Sequence, residues 1–119
     1  MAEVNNIMQV IEAGIKAEGI RQKAIASNVA NLQTPGYRSV DIRFEELLDK
    51  AMESPDALDL EDIQSELYEP GTTAIQKNGN DVSLEVEVGK MVKNALRHKA
   101  YIGLLQTKYR QIQLAMDVR

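Results

Sequence analysis

Ala26-Ser27-Asn28-Val29-Ala30-Asn31-Leu32-Gln33-Thr34-Pro35-Gly36-Tyr37-Arg38 is the stretch on which the reading of this chain turns. It starts as helix and ends as a tight turn. Pro35 fixes φ for the first corner, Gly36 supplies the positive φ that a type II turn needs at the second, and the proline pushes Thr34 out of helical geometry. Asn28 and Asn31 are weak helix formers whose amides both donate and accept, which suits them to capping the last turn or to bonding a neighbouring backbone. Tyr37 is placed to pack back on the helix. The chain must leave its helix sharply here.

Upstream of the turn, Val4, Met8, Ile11 and Ile15, then Ile25, Val29 and Leu32, fall on one 4-3-4-3 frame. That spacing predicts a helix with a coiled-coil-like seam over residues 1–34. Glu18 and Gln22 make the middle of the frame polar, and Gly14 and Gly19 lower helix propensity there by about 1 kcal/mol each relative to Ala. A bend or a partner-specific contact is expected at that point. Downstream, residues 81–119 carry the same frame without a gap: Leu84, Val88, Met91, Ala95, His98, Ile102, Leu105, Tyr109, Ile112 and Met116. Helices of this length would be rods of about 40 and 50 Å. Val92, Leu96, Leu104 and Leu114 widen the C-terminal stripe beyond what one partner helix covers. The predicted fold is therefore all-α, a coiled-coil-like hairpin of long terminal helices with apolar surface left over for association.

Residues 35–80 read as a turn, a short helix and an acidic linker, partly irregular and expected to be mobile in an isolated subunit. Asp41 is a predicted N-cap for a short amphipathic helix reaching Met52, with Phe44, Leu47 and Leu48 on its apolar face, ended by Ser54-Pro55. Beyond the weakly periodic acidic stretch 56–69, Pro70-Gly71 and Asn78-Gly79-Asn80 are turn signals, and Thr72 to Gln76 is expected to be extended.

With no Trp, one Phe and four Tyr among 119 residues, aliphatic and Met side chains carry the packing, and a compact self-sufficient globule is not the favoured shape. The absence of cysteine removes disulfides, thiolate zinc sites and thiol nucleophiles. The first 25 residues lack the basic and apolar regions of a secretory signal, so passage out of the cytoplasm would need a signal-independent exporter. Net charge is −4. It is negative over the middle and positive over the C-terminal third, which offers no basic stripe for nucleic acid but would let the acidic middle attract a neighbouring subunit's C-terminal helix.

His98 is the only histidine and sits on the frame, where it is expected to pack or meet a partner; a lone imidazole builds no metal site. The pairs Glu45-Glu46, Glu61-Asp62 and Glu85 with Glu87 lack calcium-loop spacing and read as solvated acid. Neither a phosphate-cradling loop nor a nucleophile elbow is present. No catalytic residue, metal or cofactor is expected.

The run from Ala26 to Arg38 resembles the SNxANxxTPGY signature of the flagellar rod and hook proteins, with Asn28, Asn31, Thr34, Pro35, Gly36 and Tyr37 at its defining positions. A second run, Asn78-Gly79-Asn80-Asp81-Val82-Ser83-Leu84-Glu85-Val86-Glu87, is similar to the DGNNVDLExE run before the C-terminal helix of proximal-rod subunits, with Asn78, Asp81 and Ser83 as departures. Asn94-Ala95-Leu96 and Leu104-Leu105 fall where that subtype carries its NAL and LL pairs. The resemblance spans roughly residues 15–44 and 76–116. It implies terminal helices that pair and stack with those of other subunits into a rod that is at once drive shaft and export channel. It further implies export by the flagellar type III apparatus without a cleaved signal, residence in the periplasmic part of the basal body, and contacts with neighbouring rod subunits and the rod-to-ring adapter. A second function class, a chaperone or adapter of type III export, would use the same helices to cover a partner's amphipathic segment. A peripheral membrane role fits poorly, since the polar faces are not strongly basic and the seams have no Trp.

Overall fold

The computed structural model of the chain describes residues 2–53 and 66–118, the side chains of residues 2–6, 51 and 52 excepted. Five elements follow in order: α1 (Ala2–Ala30), β1 (Asp41–Arg43), α2 (Glu45–Met52), β2 (Glu66–Tyr68) and α3 (Leu84–Asp117). The molecule measures 67 × 27 × 16 Å and has a radius of gyration of 18.0 Å, against about 13.5 Å for a compact globule of this length. Its two long helices explain the difference. At 29 and 34 residues they run about 44 and 51 Å, and they lie antiparallel: Gly14 meets Tyr101, Glu18 meets Asn94, and Asn31 meets Asn80.

The boundaries of α3 follow from local chemistry. Ser83, in extended geometry, accepts a hydrogen bond on Oγ from the Val86 N–H, and Glu85 and Glu87 place negative charge in the first turn where the helix dipole favours it. At the other junction, Asn31 donates from Nδ2 to the Ser27 carbonyl at 2.8 Å, while its backbone N–H is shared between Ser27 and Asn28. That satisfies carbonyls the last turn of α1 would otherwise leave open. Leu32, read as a frame position, consequently lies past the end of α1.

The short middle elements pack on a second face of α1. Ala17, Ile42 and Phe44 form a buried cluster, with Ala13, Ile20 and Leu48 against it. Phe44, the one Phe, is 1% exposed, so its aromatic ring is spent tying the linker to α1. The helix expected to start at Asp41 begins instead at Glu45. Asp41–Arg43 has paired antiparallel with Glu66–Tyr68 in the register Asp41 to Tyr68, Ile42 to Leu67 and Arg43 to Glu66, and the Arg43 guanidinium lies 4.2 Å over the Tyr68 ring. A strand partner two dozen residues away has no signature in local periodicity. The extended piece expected at Thr72 to Gln76 is not a strand; it belongs to a loop closed by the Gln76 N–H donating to the Asn80 carbonyl. The predicted stop at Ser54-Pro55 lies outside the described residues.

The two central glycines of α1 have different reasons to be there. A Cβ on Gly14 would lie 2.5 Å from Tyr101 Cζ, whereas one on Gly19 would meet nothing within 4 Å. Tyr101 thus occupies a slot that only glycine leaves open. Displacing its ring should cost about 2 kcal/mol, more than the roughly 1 kcal/mol that alanine adds in helix propensity. Urea unfolding followed by circular dichroism should therefore show Gly14→Ala less stable than the parent by about 1 kcal/mol and Gly19→Ala more stable by a similar amount. Equal shifts in the two variants would remove the slot from the account.

Candidate functional site between the terminal helices

The two runs singled out in the sequence, 26–38 and 78–87, are halves of one hydrogen-bonded joint. Asn28, with no exposed surface, pairs with Val40 as a strand would: its Nδ2 donates to the Val40 carbonyl at 2.8 Å and its Oδ1 accepts the Val40 N–H at 2.9 Å. The same Oδ1 accepts the Tyr37 hydroxyl at 2.9 Å, and that hydroxyl lies 3.0 Å from Ser27 Oγ. Thr34 Oγ1 donates to Asn31 Oδ1 at 3.0 Å. Pro35 and Gly36 form the corner, with Gly36 at φ 76° and the Tyr37 N–H donating back to the Thr34 carbonyl at 3.3 Å.

From the other side, Asn80, also fully buried, donates from Nδ2 to the carbonyls of Asn31 and Thr34, each at 2.8 Å, and accepts the Val82 N–H on Oδ1 at 2.7 Å. Asp81 accepts the Ser39 N–H at 2.6 Å, and its carbonyl accepts the Thr73 hydroxyl. The Gly36 N–H donates to the Asn78 carbonyl at 2.9 Å. Gly79, at φ 84°, would carry its Cβ within 3.4 Å of Gly36 Cα, so the two turns meet glycine to glycine. Asn80 reads in the sequence as a turn former; nothing local distinguishes an exposed turn asparagine from one that satisfies the far end of another helix.

Halfway along the helices lies a buried charge cluster. Glu18, 1% exposed, accepts hydrogen bonds from Arg21, from Asn94 Nδ2 at 2.7 Å and from Arg97 Nε at 2.9 Å. Asn94 also donates to the Glu18 backbone carbonyl at 2.8 Å. Arg21 forks onto both Glu45 oxygens at 2.9 Å and approaches Asp41 at 3.9 Å, so the cluster gathers α1, β1, α2 and α3. Burial works against the Arg21 charge, but Glu18 and Glu45 outweigh it and hold the guanidinium pKa above its ordinary value. Burial, and then the negative charge of Glu18 and Glu45, push the Tyr101 phenol up as well. Lys90 bridges Asp41 at 3.5 Å and Glu87 at 3.6 Å. Glu87 is buried, and its Oε2 has no hydrogen-bond partner among the described residues.

These contacts turn the helices differently from the frame read in the sequence. On α1 the buried positions include Ile11, Gly14, Glu18, Arg21, Ile25 and Asn28, of which Gly14 and Glu18 meet α3 residues directly; Met8, Ile15 and Val29 are half-buried, and the side chain of Val4 lies outside the described residues. On α3 the inward positions are Glu87, Lys90, Asn94, Arg97 and Tyr101, one residue, or about 100° of rotation, away from the apolar frame. Leu84, Val88, Met91, Ala95, His98, Tyr109, Ile112 and Met116 are exposed, and only Ile102 and Leu105 are half-buried. Pairing of apolar seam on apolar seam is therefore corrected. Ionic and amide partners on α3 claim the inward position because Glu18 is buried opposite them. Ile25, Met91, Ala95 and His98 instead line an open groove of about 490 Å³ beside the helix contact. A second groove, of about 680 Å³, runs past Leu32, Thr73, Val82 and Leu84 at the joint. Among the described residues no helix is long and apolar enough to cross a membrane, and no group of three or more His, Cys, Asp or Glu side chains is arranged to hold a metal ion.

Because Asn28 and Asn80 each satisfy buried backbone groups on a distant segment, Asn28→Ala and Asn80→Ala should each destabilise the chain by about 2 to 3 kcal/mol. Hydrogen exchange should show the Val40 N–H losing protection in Asn28→Ala and the Val82 N–H losing protection in Asn80→Ala. A loss below about 0.5 kcal/mol, the scale of an ordinary surface change, would mean that the joint is not holding the helices.

A family model described as "Flagella basal body rod protein" matches residues 8–38, which cover most of α1 and the first half of the joint. The chain is 26% identical to the flagellar basal body rod protein FlgB of Bacillus subtilis (strain 168), with 98% of this chain and 97% of the relative covered. It is 24% identical to the protein of that name from Borreliella burgdorferi, over 82% and 85% of the two chains. It is 29% identical to that of Escherichia coli (strain K12), over 71% and 74%. The match to the Bacillus subtilis relative, at 98% of this chain, takes in the second half of the joint and α3, which the family model leaves uncovered. Over residues 8–38 the chain thus matches the flagellar basal-body rod family, and over most of its length it is similar to flagellar basal body rod proteins of the FlgB kind.

Proposed function

We propose that this chain, a non-catalytic structural protein of the flagellar rod, is a subunit of the proximal rod that polymerises through its terminal helices. One observation carries the reading. The 34-residue α3 turns an apolar face outward along its length: Leu84, Val88, Met91, Val92, Leu96, Leu104, Tyr109, Leu114 and Met116 are each about half exposed or more. A face of this extent, on a chain that covers one side of α3 with charge and amide contacts, has a physical use only when another molecule buries it. Other rod subunits are the natural occupants, since they present terminal helices of the same kind. Residues 1–34 and 81–119 serve as assembly helices, and 35–80 as the turn, short helix and acidic linker between them. Val4, Met8 and Ile15 on α1, and the outward frame of α3, form the contacts between subunits.

In this reading the subunit reaches the periplasmic rod through the flagellar export apparatus without a cleaved signal, and the assembled tube is both shaft and channel. Its neighbours are other rod subunits and the adapter that joins rod to membrane ring. The exposed acids of α2 and β2, Glu46, Asp49 and Glu66, suit the exposed bases of a neighbour's α3, Lys93, Lys99 and Arg110. That contact should weaken as salt screens it.

The test uses a residue that the free subunit does not bury. Leu96 is 63% exposed, so Leu96→Glu should change subunit stability by no more than about 0.5 kcal/mol while abolishing incorporation into the rod and swimming motility. A motile strain carrying Leu96→Glu with normal rods would overturn the proposal. Stable one-to-one complexes with an export substrate, and no polymer at high concentration, would point to the chaperone or adapter class instead.

A further inference from the structure

We infer that the buried carboxylate of Glu18 is a rotational selector, which holds the polar strip of α3 against α1 and thereby keeps the apolar face of α3 turned outward. The hydrophobic effect alone would roll α3 the other way. A turn of about 100° would bring Val88, Met91, Ala95 and Ile102 onto Ile11 and Ile25, bury apolar side chains now in water, and release Lys90 and Arg97 to solvent.

Two independent features oppose that roll. Glu18 is 1% exposed and draws its partners from Arg21 on its own helix and from Asn94 and Arg97 on α3. Rolling α3 would remove both α3 partners and leave a charge in a dry interface with one counter-ion, itself shared with Glu45. Breaking one side of a buried ionic network is strongly unfavourable, whereas replacing the network by apolar residues is often neutral or better. The second feature is the slot at Gly14, which accepts the ring of Tyr101, the next inward residue after Arg97. Charge and shape thus specify the same face. The consequence is a free subunit that gives up internal apolar burial.

What the outward face is for rests on the rod-subunit reading above; its orientation in the free subunit does not, and is measured separately. The chain has no cysteine, so a single Met91→Cys, at a position 49% exposed, reports which way α3 faces. The full-length chain is kept at a concentration where sedimentation shows monomer, and the thiol is titrated with a charged disulfide reagent. With Glu18 intact the thiol should react within about threefold of a model peptide thiol. In the Glu18→Leu background, helical signal should be retained and the reaction should slow at least tenfold as α3 rolls inward. Glu18→Gln, which keeps the Asn94 hydrogen bond but leaves Arg97 without a counter-charge, should slow it by about threefold.

Retained helix with unchanged reactivity in Glu18→Leu would overturn the inference. So would unfolding of Glu18→Leu together with unchanged reactivity in a folded Glu18→Gln, since Glu18 would then be a structural anchor only. A slowed thiol in a strain that still builds rods would keep the selector and sink the rod-subunit reading of the face.

Discussion

A carboxylate that is almost fully removed from water has to find its compensation inside the protein, and here Glu18 finds it on α1 itself and on α3. Arg21 comes from the next turn of the same helix and carries the network on to Glu45 and Asp41, while Asn94 and Arg97 come from α3. Because an unpaired charge in such a place costs far more than any single apolar contact contributes, the positions of α2, β1 and α3 around α1 are mutually dependent. The apolar core is correspondingly slight, a cluster built on Ala17, Ile42 and Phe44. Geometry in this molecule is specified by polar groups, and apolar surface is left for other uses.

The second constraint acts at the end of the hairpin, where one long helix stops and another begins with backbone groups to satisfy on both. Asn28 and Asn80 do this as substitutes for backbone: Asn28 both donates to and accepts from Val40, and Asn80 donates to the Asn31 and Thr34 carbonyls while accepting the Val82 N–H. Asparagine suits the task because its side chain offers the same donor and acceptor pair as a peptide unit. The paired glycines, Gly36 and Gly79, supply the positive φ that each turn needs where the two meet. The two family runs, some fifty residues apart in the sequence, are therefore parts of one structural unit, the closed end of the hairpin.

These two constraints explain where sequence reasoning held and where it failed. The terminal helices, the corner at Pro35-Gly36 and the elongated shape follow from apolar spacing, proline and glycine, all of which act within a few residues. The facing of the helices does not follow from spacing: counting apolar residues identifies the greasiest stripe on α3 and assigns it to the partner helix, when the partner holds a buried Glu18. The strand at Asp41–Arg43 was hidden for a similar reason. Asp41 looks like a helix cap until Glu66–Tyr68 supplies a pairing partner. Leu32 likewise falls on the α1 frame, although the helix has already ended at Ala30 under the pull of Thr34-Pro35-Gly36.

By itself, then, the sequence determined the number and length of the long helices, the sharp exit from the first, and the excess of apolar side chains over what two helices can hide. Those properties depend on interactions between near neighbours, whose energies are set by residue type and spacing alone. Only the tertiary structure decided which face of α3 points inward, why Gly14 must be glycine, and that the two signature runs lock together. Each of those depends on pairs of groups dozens of residues apart, and the choice among their arrangements is made by desolvation of a few polar atoms, which no local pattern records.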